Sequence, residues 1–423
     1  MSESAHFDQG PWYVGAYNGL GAAASAIGLR GDQAFRPEAL RQGARRRAIG
    51  SYDFGAPPLD EPLRRLSEDF LAESHASQTG RTAMREHLLE LLAARLRLTG
   101  RWHQPRNVGA LEPVERPVFI FGLPRTGTTL LHNLIAQDPQ VRVPWTFEVM
   151  MPTPQPGALS RGARRAAVAK RLQWVHRLAP AFRTVHEVSA SLPQECIAIT
   201  AYTLQSIEFH TTHRLPGYQN WLEGSDQVPA YAFHRRFLQH LQAEDREAAG
   251  SGPFAPRPWV LKAPGHLFAL DALLAVYPDA VLVQTHRDPL EVVASISSHG
   301  VILRKAFSQQ VDVQEVAVDW SNRWGRALAR TMARRQADAS LDQRVLDLHY
   351  SRLLADPMGV IADLYAHAGL SLGDLARERM QGYLASNPQG RHGRHRYSLE
   401  GFGLNPHQEA ERYADYRRWL NIA

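Results

Sequence analysis

Two short stretches of this chain put anion-binding side chains at the ends of apolar runs. The first, Gly122-Leu123-Pro124-Arg125-Thr126-Gly127-Thr128-Thr129, follows the apolar run Pro117 to Phe121 and opens a helical pattern to Gln137 that repeats Leu130, Leu131, Leu134 and Ile135. A strand that ends in a glycine turn and opens a helix aims several backbone N–H groups and the positive end of the helix dipole at one spot, which is an anion site. Gly122 and Gly127 have Walker spacing, but Thr128 and Thr129 stand where that pattern requires lysine and then serine or threonine. The strong cation of the loop is Arg125. A nucleoside triphosphate brings magnesium and high charge, whereas the sulfuryl end of a phosphosulfate carries less charge and is transferred without metal, so an arginine with hydroxyl donors fits the second chemistry.

The second stretch runs from Ala280 to Thr285, an apolar strand pattern, through His286-Arg287-Asp288-Pro289 into a helical pattern that reaches Ser295. Arg287 lies at the strand end, and Ser295 follows about two helical turns later.

Taken together, these stretches resemble the two donor-binding motifs of sulfotransferases that use 3'-phosphoadenosine 5'-phosphosulfate (PAPS). The resemblance implies that Pro124 to Thr129 hold the 5'-phosphosulfate, that Arg287 and Ser295 hold the 3'-phosphate, which ATP lacks, and that adenosine 3',5'-bisphosphate (PAP) is the product. It implies a P-loop-like three-layer α/β fold with a central parallel sheet, and no required metal. The run Phe121 to His132 and the late His395-Arg396-Tyr397 with Phe402-Gly403 look like the larger bacterial members. In Asp347 to Pro357 the resemblance places Tyr350 by the nucleotide, although a tyrosine that packs at a strand end reads the same way. Where small-molecule members close the site with Gly-x-x-Gly-x-Trp-Lys, this chain has Gly390-Arg391-His392-Gly393-Arg394-His395-Arg396. Arg391 and Arg394 are candidate phosphate partners by guanidinium geometry, against a solvated basic loop as the alternative.

Transfer to an alcohol requires a base for the hydroxyl proton and a cation at the oxygen that leaves. Arg125 is the candidate for the leaving side, in the place where many relatives carry lysine. Two bases compete: His266, in Leu261-Lys262-Ala263-Pro264-Gly265-His266, and Glu148, in Trp145-Thr146-Phe147-Glu148. Histidine has the suitable unperturbed pKa. Cytosolic relatives carry lysine and histidine at the comparable strand end, which favours Lys262 with His266, and other relatives use a glutamate shortly after the first helix, which keeps Glu148. His186 and Glu195 complete the set.

The elements that position these groups follow from periodicity. Leu63, Leu66, Phe70, Leu88, Leu92 and Leu96 recur at helical spacing, so residues 1–110 read as a helical N-terminal region packed on the core. Pro117 to Phe121, Trp259 to Lys262, Ala280 to Thr285 and Val345 to Leu348 read as strands separated by helices, which predicts a parallel sheet within a donor-binding unit of residues 111–423. Arg161 to Arg183 and Pro229 to Glu247 read as helices of a cap inserted around 146–252. The uncharged Pro11 to Leu29 reads as a buried Ala/Gly helix, with at most peripheral membrane contact.

Composition narrows the functional classes. A chain of 423 residues, 44% hydrophobic, is neither disordered nor fibrous. Its single cysteine, Cys196, leaves no intramolecular disulfide and no thiol cluster for a metal, which suits a cytoplasmic setting. A net charge of +6 spread over basic runs suits one small phosphorylated ligand better than nucleic acid. The rival enzymatic reading, a P-loop kinase, lacks its lysine. Trp145, Phe147, Met150, Met151, Trp174, Phe182, Phe209 and Trp221 suggest an apolar or lipid-like hydroxyl acceptor, and read equally as core.

Overall fold

The computed structural model describes residues 11–26, 31–49, 53–104, 112–178, 189–250, 252, 254–387 and 398–422. Four short strands, β1 (Val118–Gly122), β2 (Val260–Lys262), β3 (Val281–His286) and β4 (Val345–His349), form one sheet in the order β2-β1-β3-β4. All pairs are parallel, with Val118 opposite both Val260 and Val281, Gly122 opposite Thr285, and His286 opposite His349. β1 to β3 are apolar for most of their length because both faces are covered. Val118 and Ile120 pack against Leu131, Leu134 and Ile135 of the helix Thr128–Ile135 and against Val360, Ile361 and Leu364 of Pro357–Ala368. Phe119 and Phe121 face a larger core that includes Leu88, Leu92 and Leu96 of the N-terminal helix Gln78–Trp102, and Tyr231 and Phe237 of the helix Val228–Ala249. The fold is P-loop-like, with helices on both sides of a central parallel sheet.

The four strands and the helices Thr128–Ile135 and Val228–Ala249 fall within a few residues of the expected bounds, and the expected helix Arg161 to Arg183 is seen as Arg161–Leu178, with residues 179–183 outside the described residues. Within Pro11 to Leu29, Trp12–Ala26 forms a helix, but not a buried one, and residues 27–29 lie outside the described residues. It meets the helix Gln78–Trp102 along one stripe, where Asn18 Oδ1 accepts from the Thr79 backbone N–H at 2.8 Å and Tyr17 hydrogen-bonds Thr82 at 2.9 Å. Its other side leaves Trp12 83% and Leu20 73% exposed. Absence of charge therefore did not fix the depth of this helix, which its packing against the helix Gln78–Trp102 sets. Among the described residues no helix is long and apolar enough to cross a membrane. Phe147 and Phe209 are buried in cores, Trp145, Met150, Met151 and Trp221 are half-buried, Trp174 is exposed, and Phe182 lies outside the described residues.

Candidate active site

In sequence β1 is followed by β2 on one side of it and by β3 on the other, so the carboxyl ends of β1 and β3 border the switch point of the sheet. In open α/β sheets ligands bind in that crevice. Both stretches singled out in the sequence meet there: residues 123–127 leave β1, and Arg287 leaves β3.

Close approach of these strands dictates glycine at the loop. Gly122 has φ +146°, and a Cβ on it would lie 2.4 Å from Thr285 O. Thr126 is buried; its hydroxyl donates to Leu123 O at 2.6 Å and shares a 2.6 Å hydrogen bond with Thr285 Oγ1, which ties the loop to β3. The Thr126 side chain thus faces inward, and its backbone N–H is what it can offer an anion. Gly127, with φ +89°, caps the helix Thr128–Ile135 and brings its Cα against Leu353 and Tyr350; a Cβ would lie 2.6 Å from Leu353 Cδ2. Substitution Gly127→Ala combines that clash with a left-handed conformation that costs a non-glycine residue about 1–2 kcal/mol. Chemical denaturation should show a loss of at least that size; an unchanged midpoint would mean that the loop relaxes freely.

Arg125 crowns the loop at φ +69°, a left-handed conformation that is uncommon for a branched or long side chain and is held here by its neighbours. Its Nε donates to Ser295 Oγ at 3.3 Å, and Arg287 Nη1 donates to the Arg125 carbonyl at 3.3 Å. Arg287 also lies over the Tyr350 ring at 4.6 Å and pairs with exposed Glu291 at 3.0 Å. The structure therefore brings Arg125, Arg287, Ser295 and Tyr350 into one cluster beside Gly127. Pro124 is partly exposed in the same loop, Thr128 is buried under it, and Thr129 is exposed. Asp288 caps the following helix through Leu290 N–H, with Pro289 at its first position, which sets the direction in which Ser295 is presented.

Lys262, at the end of β2, is almost fully buried. Its Nζ donates to Thr129 Oγ1 at 3.3 Å and forms an ion pair with Glu195. His266 is 1% exposed, lies edge-on to Phe119, and is hydrogen-bonded through Nδ1 to Tyr231 OH at 2.6 Å. Its Nε2 has no hydrogen-bond partner among the described residues. Burial, reinforced by His234 and Lys262, pushes its pKa well below the usual histidine range, so the ring is neutral at pH 7.

Glu148 is enclosed in a different set of contacts. It is fully buried, Arg142 grips both its oxygens at 2.8 Å, Arg161 pairs with it, and the Trp145 N–H donates to it at 3.1 Å. Arg142 and Arg161 continue to Asp245, and Arg164 pairs with Glu244. Burial pushes the Asp245 carboxyl upward, but Arg142, Arg161 and Arg257 outweigh it and hold the pKa below the usual range. Glu148 is arranged as an anchor that joins the helices Thr146–Met150, Arg161–Leu178 and Val228–Ala249, rather than as a group with a vacant lone pair for a substrate proton. Arg391, Arg394 and His186 lie outside the described residues.

Sequence reading missed what braces the Arg287 strand end. His286 receives or gives hydrogen bonds at Tyr416 OH (2.6 Å) and Asp347 (2.7 Å), while Arg335 grips both Asp347 oxygens at 2.8 Å. Burial pushes the Asp347 pKa up, but Arg335 and His286 more than reverse that and hold it far below the ordinary range. No spacing rule joins residues 286, 335, 347 and 416, and the one signal was the polar His286 at the end of an apolar run.

Known proteins match this architecture. The sulfotransferase family model covers residues 117–374. The omega-hydroxy-beta-dihydromenaquinone-9 sulfotransferase Stf3 of Mycobacterium bovis is 26% identical over 304 residues, 67% of this chain and 70% of the relative, and its Mycobacterium tuberculosis counterpart matches equally. The solved sulfotransferase STF1 of Mycobacterium tuberculosis matches with a TM-score of 0.75 and 31% identity over 90% of this chain and 98% of its own. STF9 of Mycobacterium avium, at 24% identity, shares the fold with a TM-score of 0.78 over 92% of this chain and 97% of its own. With both anion motifs inside the matched span and more than half of its length covered, the chain belongs to the sulfotransferase family.

Proposed function

We propose that this protein transfers a sulfuryl group from PAPS to the hydroxyl of a small, apolar or lipid-like acceptor. The observation that carries the donor assignment is the convergence of Arg125, Ser295 and Arg287 at the β1/β3 crevice, above a loop without a Walker lysine. PAPS, when bound, supplies an activated sulfuryl group on its 5'-phosphate. The loop residues Pro124 to Thr129 offer backbone N–H groups and the helix N-terminus to that end, and Arg125 offers a guanidinium to the oxygen that leaves. Arg287 and Ser295 suit the 3'-phosphate: the pair of Arg287 with exposed Glu291 is weak and gives way to a phosphate that binds the same guanidinium in bidentate fashion. Tyr350 supports Arg287 from below.

The acceptor class rests on two supports. A relative is named for a hydroxylated menaquinone, and Trp145, Met150 and Met151 of this chain form a small apolar cluster with Phe147, Val168 and Leu172, joined through Trp145 to the core around β1.

The test is thermal stabilisation by PAP compared with ATP plus magnesium. PAP at about 100 times its Kd is expected to stabilise the protein by about 2.7 kcal/mol. Radiolabelled PAPS should then transfer label to long-chain primary alcohols. Stabilisation by ATP plus magnesium alone would replace this reading with that of a phosphotransferase.

A further inference from the structure

We propose that Glu195 is the catalytic base, and that Lys262 hands it over to the acceptor when the donor arrives. The proposal rests on the PAPS reading above and goes beyond it by assigning the proton to a residue outside both donor motifs.

The candidates differ in what their atoms can reach. Glu148 is fully buried with both oxygens held by arginine, and His266 is almost fully buried behind Phe119 with its Nδ1 engaged by Tyr231. The Glu195 side chain retains 15% exposure and forms an ion pair with Lys262, whose Nζ also reaches Thr129 Oγ1 in the loop. Through Lys262, Glu195 is the carboxylate joined to the phosphosulfate loop. Its chain segment also borders the apolar cluster: Trp145 bridges Pro193, the Gln194 N–H donates to Pro144 O at 2.7 Å, and the Thr146 N–H donates to Leu192 O at 2.9 Å. An apolar acceptor seated on Trp145 and Met150 would bring its hydroxyl in beside Glu195. Among the described residues, the charged or titratable groups that face this carboxylate include Lys262 from β2, His132 from the helix Thr128–Ile135, and its neighbour Cys196. Burial keeps His132 neutral, with a pKa pushed down to about 3, and burial raises the Cys196 thiol pKa well above neutral, so neither competes for the proton near pH 7.

The step balances as follows. In the free enzyme Glu195 pairs with Lys262. A sulfuryl group in the loop gives Lys262 a second anion, beside the Thr129 hydroxyl it already touches, and its hold on Glu195 weakens. The acceptor oxygen forms a bond to sulfur while the bond from sulfur to the bridging 5'-phosphate oxygen breaks. The acceptor proton passes to a Glu195 oxygen, and the electron pair stays on the phosphate oxygen of PAP, facing Arg125.

The experiment compares wild type, Glu195→Gln, Glu195→Asp and His266→Asn with PAPS, using farnesol in detergent micelles and, separately, water alone as acceptor, with PAP release as readout. Glu195→Gln is expected to lower kcat about 10²- to 10⁴-fold with the PAPS KM changed less than threefold, and to abolish the acid limb of the kcat profile. Glu195→Asp should recover part of the rate with a displaced acid limb, a result that a structural role would not give. Should the glutamine variant fail to fold, the displaced limb of the aspartate variant carries the test. Retention of kcat within threefold in Glu195→Gln, an acid limb unmoved in Glu195→Asp, or loss of that limb in His266→Asn instead, overturns the proposal. Failure of PAP to stabilise the wild type would strike the donor reading instead, which separates the two.

Discussion

Arg125→Gly is expected to lower kcat about 10²- to 10³-fold, the usual cost of a lost electrostatic donor at a developing negative charge, with little or no loss of stability. The reason is that Arg125 occupies a left-handed conformation at φ +69°, which costs a non-glycine residue about 1–2 kcal/mol. Glycine relieves that strain, while its greater freedom in the unfolded chain returns about 0.5–1 kcal/mol of it. The contact of Arg287 with this residue survives the substitution, because it is made to the backbone carbonyl. Only the guanidinium, which reaches toward Ser295 at 3.3 Å, is removed. Steady-state kinetics with PAPS and a thermal melt on the same sample check both halves. A kcat within threefold of the parent would show that the leaving oxygen is stabilised by the loop N–H groups without Arg125, and a melt several degrees lower would show that its side chain serves the fold.

Glu148→Gln should do the opposite: a loss of stability of about 3–5 kcal/mol, the usual result of leaving buried charges without their partner. Arg142 is 2% exposed and stacked 5.0 Å over Trp259, so it cannot turn to water when the carboxylate is gone. Arg161, half-buried, would keep Asp245 and loosen its hold on the helix Thr146–Met150. A lower guanidinium midpoint at unchanged slope is the expected signature, with PAP binding retained in the folded protein. An unchanged midpoint with a collapsed kcat would reinstate Glu148 as the proton acceptor. The same network sets a pH response. Because Asp245 titrates below its unfolded value, its contribution is present above about pH 4 and is lost as pH falls through the folded pKa, so the stability difference between parent and Asp245→Asn should narrow in acid.

Much of the donor cradle was legible in the linear chain because its parts are local. A strand, a glycine turn and a helix start are contiguous, and so are Arg287 and Ser295 across a proline-capped helix, so their spacing could be matched to the family's two motifs. The four strands were readable for the same reason: a strand covered on both faces is a short apolar run bounded by turns. The base was a different problem. Glu148 and Glu195 are both acidic residues near helix starts with apolar neighbours, and nothing in their local sequence distinguishes a carboxylate held by arginines from one paired with a lysine. The difference lies in Arg142, Arg161, Asp245 and Lys262, which come from other parts of the fold. His266 likewise carried a suitable unperturbed pKa until burial beside Phe119 and Tyr231 lowered it. By itself the sequence determined the fold class and the strand-turn-helix at Gly122 to Gly127, because backbone geometry and turn residues are local properties. Only the tertiary structure decided which carboxylate is sealed by arginines and which reaches the loop through a lysine, because burial and charge pairing are set by residues distant in the chain.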